Sequence, residues 1–308
     1  MKVVSIIGLG RVGRAVAFLL SALPEPLLIN LVDPWLNPGT LLDLAHAHTR
    51  NRLVENSREL LAESHVVFHC AGPEVPPGES RLAVRDRSYE LTDSIFSGLA
   101  FSHPGPLLIV LSNPVELITL RTLEVTDLPP ERILGTGSLL DTRRFNLITE
   151  QYLRLERGSV EALLLGEHGE SCAVWTEGSL INGTPLKDTL NPAELKRLLK
   201  DTLRQAARIK EDQGATYYGV ARCAVDLMNG YFDQEKTVSV ASILCPPEFA
   251  EILQLEKPLC LSLPVVLGQR ELLVRPPRLQ GSDLENLRRS AHTLSQARGK
   301  FGEGSFPA

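Results

Sequence analysis

The chain has 308 residues, of which 43% are hydrophobic, and a formal net charge of −5. This length is sufficient for two domains with separate buried cores. The acidic balance argues against nucleic acid as a partner, because phosphate binding usually leaves a basic surface. No apolar run reaches the roughly 18–20 residues that span a bilayer, and the N-terminus does not have the pattern of a signal peptide. We therefore expect a cytoplasmic protein with no membrane contact.

The cysteines are few and widely separated, without CxxC spacing. This distribution disfavours both a disulfide framework and a zinc site, so we expect no bound metal. We predict that they are small apolar residues in packed positions. They are Cys70, Cys172, Cys223, Cys245 and Cys260.

The first half of the chain alternates short apolar runs with amphipathic segments of helical length. Continuous apolar runs are typical of strands buried on both faces. Strand–helix alternation predicts a doubly wound parallel sheet of the Rossmann type, because parallel strands need crossover connections. The predicted strands are 3–8, 27–33, 65–72 and 106–112, and the predicted helices are 11–23 and 82–101.

The pattern changes after about residue 140, where strands and helices are grouped rather than alternating. This grouping predicts a mixed α+β domain with antiparallel strands. We therefore divide the chain into domains of residues 1–140 and 141–308. In the second domain the predicted helices are 142–153, 192–210, 214–229 and 284–298, and the predicted strands are 160–166, 174–181, 236–240 and 259–265.

A GxGxxG pattern directly follows the first strand and opens the first helix. Its glycines permit a tight turn, a close approach of the backbone to a pyrophosphate and close helix–strand packing. Asp33 ends the second strand, 20 residues after Gly13. A carboxylate at this position would bind ribose hydroxyls and repel a 2′-phosphate. The pattern predicts binding of NAD rather than NADP. The predicted contacts are Gly8, Gly10, Arg11, Val12, Gly13 and Asp33.

Further motifs follow in order along the chain. They are Ala71-Gly72, Pro77-Gly78-Glu79-Ser80-Arg81, Ser112-Asn113-Pro114-Val115-Glu116, Gly135-Thr136-Gly137, Leu140-Asp141-Thr142-Arg143-Arg144-Phe145, Gly166-Glu167-His168-Gly169-Glu170-Ser171 and Gly214-Ala215-Thr216-Tyr217-Tyr218-Gly219. In order and spacing they resemble the lactate/malate dehydrogenase family, from about residue 2 to 298. The resemblance implies an NAD-dependent enzyme that interconverts a small 2-oxo acid and its (S)-2-hydroxy acid. It also implies that Ala71, Gly72 and Asn113 lie beside the cofactor.

His168 is the candidate proton donor of this reaction. Reduction of a ketone by hydride needs a donor for the developing alkoxide, and an imidazole titrates near neutrality. The resemblance implies that Asp141 orients the His168 ring and stabilises its charged form.

The remaining candidate residues would hold the substrate. Arg144 lies three residues after Asp141 on one predicted helix face, and a guanidinium binds a carboxylate through two parallel hydrogen bonds. The resemblance implies that Arg81 polarises the substrate carbonyl as a loop closes, that Asn113 binds the reacting oxygen, and that Thr216 contacts the substrate.

Several positions depart from the family pattern. Val75 stands at the main specificity position, where malate enzymes carry arginine; valine would leave a second substrate carboxylate unpaired and partly buried. We therefore expect pyruvate or a bulkier apolar 2-oxo acid as the substrate. Ser88 and Glu170 also differ from the residues usual in the family. Asn146 and Glu161 replace an arginine and a histidine that bind a sugar bisphosphate in many bacterial relatives, so we expect no activation by fructose 1,6-bisphosphate.

Three other functions are compatible with parts of this pattern. Malate dehydrogenase is the nearest, and Val75 argues against it. NAD-dependent glycosidases share a similar first half, but they are longer and need a metal site of cysteine and histidine. A non-catalytic NAD-binding homologue is disfavoured by the intact set of His168, Asp141, Arg144 and Arg81. Because family members associate through helices of both domains, we expect a homodimer or a homotetramer.

Overall fold

The structure is a computed structural model that describes residues 1–73, 81–102 and 104–298, with residues 81–83 described by their backbone alone. Its central sheet contains parallel strands in the order β3-β2-β1-β4-β5-β6. The middle strands are apolar and buried on both faces, as expected when crossover helices cover a parallel sheet; all of β5 is fully buried. These strands are β1 (Lys2–Ile7), β2 (Leu27–Val32), β3 (Arg52–Glu55), β4 (Val66–His69), β5 (Leu107–Val110) and β6 (Ile133–Gly135).

Helices connect the parallel strands, as the alternating pattern predicts. The first helix buries one stripe, formed by Gly13, Val16, Ala17 and Leu20, which is the spacing of a helix with one face on a core. The connecting helices are α1 (Arg11–Ser21), α2 (Pro38–Ala47), α3 (Arg58–Ala62), α4 (Arg81–Phe96) and α5 (Val115–Val125).

Antiparallel strands extend the same sheet beyond β6. Ser242 of β12 pairs with Gly135 of β6, and a side chain at Gly135 would lie 2.4 Å from the Thr119 hydroxyl on α5. The absence of a side chain at Gly135 therefore lets α5 pack closely on β6, the strand to which the antiparallel strands are added. The added elements are β12 (Thr237–Leu244), α10 (Pro247–Leu253), β13 (Cys260–Gly268), β14 (Glu271–Val274) and the last helix, α11 (Gly281–Arg298).

Most of the remaining elements form a second core beside this sheet. Phe145, Leu164, Leu186 and Leu198 are buried together there. The long helix of this region starts with a capping box, in which Asn191 and Glu194 satisfy each other's backbone N–H groups. The elements are α6 (Leu139–Leu153), β7 (Val160–Glu161), β8 (Leu164–Leu165), β9 (Ala173–Val174), β10 (Leu180–Ile181), β11 (Thr184–Pro185), α7 (Leu186–Thr189) and α8 (Pro192–Gln213). The last remaining helix, α9 (Tyr218–Phe232), instead buries its apolar residues in the core of the large sheet.

The predicted fold class, a Rossmann sheet followed by a mixed region with antiparallel strands, is confirmed. The division at residue 140 stays a prediction. The single strand predicted over 174–181 is wrong: the chain turns between β9 and β10, where Ser179 N–H donates to the Trp175 carbonyl at 3.1 Å and Gly178 packs against the Trp175 ring. The strand predicted over 160–166 likewise divides into β7 and β8. No helix within the described ranges is long and apolar enough to cross a membrane.

Candidate active site

The glycine motif forms a tight connection between β1 and α1. Gly8 has a φ of +86°, and a side chain there would lie 2.5 Å from the Ala71 backbone, while one at Gly13 would lie 1.9 Å from the Gly8 carbonyl oxygen. A Cβ at Gly10 or Gly72, in contrast, would meet no atom of the described residues within 4 Å beyond its immediate chain neighbours. The loop is therefore packed closely against the β4 end on one side and open on the other, which suits the approach of a phosphate to backbone N–H groups.

Asp33 binds the glycine loop to the end of β2. Its Oδ2 accepts the Leu9 N–H at 2.6 Å and its Oδ1 accepts the Trp35 N–H at 2.8 Å. A carboxylate has about four acceptor positions, more than these two bonds occupy, so ribose hydroxyls fit the same group. Of the other predicted cofactor contacts, Arg11 donates to the Gln213 carbonyl at 3.1 Å and Val12 is half-buried.

His168 and Asp141 meet although 27 residues separate them. The distance from His168 Nδ1 to Asp141 Oδ2 is 2.5 Å. The Asp141 side chain is 4% exposed and that of His168 is 28% exposed, so the carboxylate is buried while the imidazole is partly accessible. Because Nδ1 is bound to the carboxylate, Nε2 is the ring nitrogen left to meet a substrate.

The charge of His168 depends on a balance between burial and its partners. Burial opposes the protonated ring, but the charge of Asp141 and its hydrogen bond outweigh that effect and raise the pKa of His168 to about 9. The ring is therefore an imidazolium at neutral pH and holds a proton to donate.

Arg144 is joined to the same pair from one turn further along α6. Its Nη1 donates to Asp141 Oδ1 at 3.1 Å, and its Nη2 donates to the Thr216 hydroxyl at 3.2 Å. Arg143, the next residue back, instead forms an ion pair with Asp226 on α9 at 2.7 Å. Of these two adjacent arginines, Arg144 contacts Asp141 and Arg143 does not. Arg144 is also the one predicted to bind substrate.

Asn113 lies three residues after the end of β5 and is exposed. The peptide bond between Asn113 and Pro114 is cis. The Ser88 hydroxyl on α4 donates to the Asn113 carbonyl at 3.3 Å and to the Val84 carbonyl at 2.7 Å. The departure at Ser88 therefore contacts the chain that carries Asn113. Arg81 is the first residue of α4 and is described by its backbone alone. Val75 lies outside the described residues.

Glu116 is a residue of this site whose role the sequence did not reveal. It is 2% exposed, and its Oε1 accepts the His168 N–H at 2.9 Å. A weak signal was present, because Glu116 follows Asn113 within one motif. Among the residues that the structure describes, no group of three or more His, Cys, Asp or Glu side chains is arranged to hold a metal ion.

Comparisons with known proteins agree with this geometry. The family model described as "lactate/malate dehydrogenase, NAD binding domain" matches residues 1–135, and that described as "lactate/malate dehydrogenase, alpha/beta C-terminal domain" matches residues 138–301. The chain belongs to the lactate/malate dehydrogenase family. A curated family member, the L-lactate dehydrogenase of Thermus aquaticus, is 32% identical over 97% of this chain and 99% of its own length.

Solved structures of both kinds of family member share the fold. The minor L-lactate dehydrogenase of Enterococcus mundtii superposes with a TM-score of 0.87 at 23% identity, covering 98% of this chain and 99% of its own. The malate dehydrogenase of Plasmodium falciparum superposes with a TM-score of 0.85 at 20% identity, covering 97% and 98%.

Membership in the lactate/malate dehydrogenase family confirms several predictions. The resemblance itself, the enzyme class of NAD-dependent 2-hydroxy acid dehydrogenases and the cofactor NAD are confirmed. A small-molecule substrate accompanies that class.

Proposed function

We propose that this chain is an L-lactate dehydrogenase-like enzyme, which interconverts pyruvate or a bulkier apolar 2-oxo acid and the corresponding (S)-2-hydroxy acid. The observation that carries the proposal is the continuous chain of contacts from His168 through Asp141 to Arg144 and Thr216. This cluster supports the proposal because it contains an imidazole able to donate a proton and a guanidinium able to bind a carboxylate, and reduction of a 2-oxo acid needs both.

In the proposed mechanism the His168 imidazolium donates its Nε2 proton to the oxygen that develops negative charge at C2. NADH, when bound, supplies the hydride to C2. Asp141 keeps the ring in one orientation through Nδ1 and stabilises its charged form before the transfer. In the direction of 2-hydroxy acid oxidation the neutral imidazole accepts the proton instead, so the same pair serves both directions.

Arg144 is proposed to hold the substrate carboxylate. The Arg144 side chain is 8% exposed, and a charged hydrogen bond formed in such a place is stronger than one in water. A guanidinium has about five N–H donors, more than the bonds to Asp141 and Thr216 use. Thr216 and Asn113 are proposed as further substrate contacts, and Arg81 as the residue that polarises the carbonyl.

The proposed cofactor contacts are built mainly from backbone. Gly8, Gly10 and Gly13 would present N–H groups to the pyrophosphate at the start of α1. Asp33 would accept the adenosine ribose hydroxyls and repel a 2′-phosphate. Arg11, Val12, Ala71, Gly72 and Asn113 complete the set.

The choice of substrate is proposed from Val75. A neutral apolar side chain at the specificity position offers no partner to the second carboxylate of oxaloacetate, and an unpaired anion is costly to bury. Initial rates of NADH oxidation with pyruvate, 2-oxobutyrate, 2-oxoisocaproate and oxaloacetate test this choice. We expect one of the monocarboxylates to give the highest kcat/KM. A clear preference for oxaloacetate would identify a malate dehydrogenase and overturn the proposal.

Assembly and location belong to the proposal as well. We propose a cytoplasmic homodimer or homotetramer, on the basis of the association usual in the family. Light scattering of the purified protein distinguishes these assemblies by mass, and a monomer would contradict both.

A further inference from the structure

A buried carboxylate lies beside His168 and has no part in the mechanism above. Glu116 is the second residue of α5 and is 2% exposed. Its Oε1 accepts the His168 main-chain N–H at 2.9 Å, whereas Asp141 binds the His168 ring. His168 therefore contacts one carboxylate at its side chain and another at its main chain.

Glu116 also joins parts of the chain that are distant in sequence. The Ser262 hydroxyl on β13 donates to Glu116 Oε1 at 3.3 Å and accepts the Ser138 N–H at 2.9 Å. The main chain of Ser262 pairs with Gly166, with N–H to carbonyl distances of 2.9 Å in both directions. Glu116 thus fixes the position of residues 166–168 relative to α5, the helix that begins just after Asn113.

Hydrogen bonding alone does not explain why this residue is a glutamate rather than a glutamine. The His168 N–H and the Ser262 hydroxyl are both donors, and the amide oxygen of a glutamine would accept both of them. A buried carboxylate, in contrast, carries a large desolvation cost unless a nearby positive charge offsets it. The His168 imidazolium is that positive charge.

The titration of the two groups fits this interpretation. Burial raises the pKa of Glu116 to about 7, although the charge of His168 acts in the opposite direction. Burial also opposes protonation of His168, and the charges of Asp141 and Glu116 raise its pKa to about 9. Between these values an ionised Glu116 faces a protonated His168. The other titratable or charged groups near this pair are Glu167, Cys172, Cys260 and Arg144.

We propose that Glu116 is a positioning residue for His168: it fixes the His168 main chain and supplies a second negative charge that stabilises the imidazolium. The proposal rests on the proposed function in so far as His168 is the proton donor. It predicts that the charge, and not the hydrogen bond alone, sets the pH range in which the donor is protonated.

The test is a titration of the histidine ring nitrogens by NMR on the ¹⁵N-labelled full chain, with His168 assigned among the seven histidines by the loss of its signal in His168→Gln. In Glu116→Gln we expect the pKa of His168 to fall by about one pH unit, the lower end of what a nearby opposite charge produces. Glu116→Asp keeps the charge and should leave the pKa of His168 near that of the wild type. Glu150→Gln is the matched control, because Glu150 is likewise a buried carboxylate that accepts a main-chain N–H, that of Gly158 at 2.7 Å instead of that of His168, and it should not move the pKa of His168.

The same variants are then compared by the pH profile of 2-oxo acid reduction. Glu116→Gln should lose activity at a pH about one unit lower than the wild type, whereas Glu116→Asp should restore the wild-type profile. If Glu116→Gln folds and keeps the wild-type pKa of His168, the proposal is wrong.

The wild type provides a measurement that needs no variant. The ¹⁵N shift of His168 should show a second, smaller inflection near pH 7 as Glu116 titrates, and a single inflection would overturn the proposal even if Glu116→Gln did not fold. An enzyme that reduced none of the 2-oxo acids would refute the proposed function alone, because the NMR titration does not depend on activity.

Discussion

The cofactor loop and the His168 cluster are built in opposite ways. The loop from Gly8 to Gly13 is local in sequence, and its shape depends on missing side chains, with contacts as short as 1.9 Å at a hypothetical Cβ. The His168 cluster brings together side chains from α6, from residue 168 and from Thr216, just before α9. It depends on ion pairs between buried or partly buried side chains. The glycine loop should therefore be sensitive to added side-chain volume. The His168 cluster should be sensitive to the loss of a charged side chain. Substitutions that affect one region should therefore leave the other intact.

The largest expected effect comes from His168→Gln. Without an imidazole the developing alkoxide has no proton donor at this position, so kcat for 2-oxo acid reduction should fall by about 10²-fold or more. The loop from Gly8 to Gly13 is untouched, and so NADH should bind with unchanged affinity. Stopped-flow rates together with NADH fluorescence titration measure the two effects separately. Equal loss of NADH affinity would show that the two regions are not independent.

The reverse separation is expected from Gly13→Val. A side chain at Gly13 meets the Gly8 carbonyl, and relieving that clash requires the loop to move, at a cost of about 1–3 kcal/mol in folding free energy. NADH affinity should fall at least tenfold. Gly10→Ala is the control, because a Cβ at Gly10 would lie more than 4 Å from the atoms of every other described part of the chain that could obstruct it, and it should fold with near wild-type stability. Urea denaturation gives the stabilities; equal destabilisation by both variants would contradict the packing described for the loop.

The two regions should also differ in pH dependence: stability and the rate of reduction should depend on the protonation of His168, whereas NADH binding at the glycine loop should not. The pKa of His168 is raised to about 9 against an ordinary 6.5, so protonation favours the folded state. The protonated His168 makes its full contribution to the free energy of unfolding below pH 6.5, and this contribution is lost as the pH rises through about 9. Reduction should follow the same protonated form and decline above about pH 9. NADH binding should stay level across that range, and a coincident decline in binding would assign the pH effect to the loop.

This comparison also explains what could be predicted from the sequence. The GxGxxG loop and Asp33 were found from residue type and spacing, because a glycine turn between a strand and a helix is a local feature. The contact between His168 and Asp141 spans 27 residues and followed only from resemblance to a family. Glu116 was missed because nothing in a linear sequence shows that a carboxylate on α5 meets the main chain of residue 168. The extension of the sheet by β12–β14 was missed for the same reason: antiparallel strands were predicted, but their pairing with β6 depends on the single bridge between Ser242 and Gly135.

A smaller effect is expected from Asp33→Asn, which tests how much charge matters in a site built from backbone. The amide oxygen can still accept the Leu9 or the Trp35 N–H, but the acceptor for ribose hydroxyls becomes neutral. Hydrogen bonds to a charged group contribute roughly 1.5–3 kcal/mol, so the Kd for NADH should rise about tenfold. The discrimination against NADPH should narrow, because the repulsion of a 2′-phosphate is lost. Isothermal titration with both cofactors measures the ratio, and an unchanged ratio would argue against a role of Asp33 in cofactor selection.

The smallest expected effect is no effect: fructose 1,6-bisphosphate should not activate the enzyme. Asn146 is already engaged with the second core, since it accepts the Ala162 N–H at 3.1 Å and donates to the Ala162 carbonyl at 3.5 Å. Glu161 is exposed on β7, and its negative charge would repel a phosphate group. Initial rates at low 2-oxo acid concentration, with and without millimolar effector, test this expectation.

Inorganic sulfate at equal ionic strength is the control for general screening of charge. A large decrease in apparent KM that is specific to the bisphosphate would contradict the prediction. It would also show that an anion site exists in spite of Glu161. The double variant Asn146→Arg with Glu161→His tests the converse, because it introduces the arginine and the histidine that the family resemblance associates with binding of the effector. If fructose 1,6-bisphosphate lowers the apparent KM of that variant and leaves kcat at saturating substrate unchanged, Asn146 and Glu161 alone prevent activation of the wild type. If the variant is still not activated, the neighbouring surface also lacks residues that the effector needs.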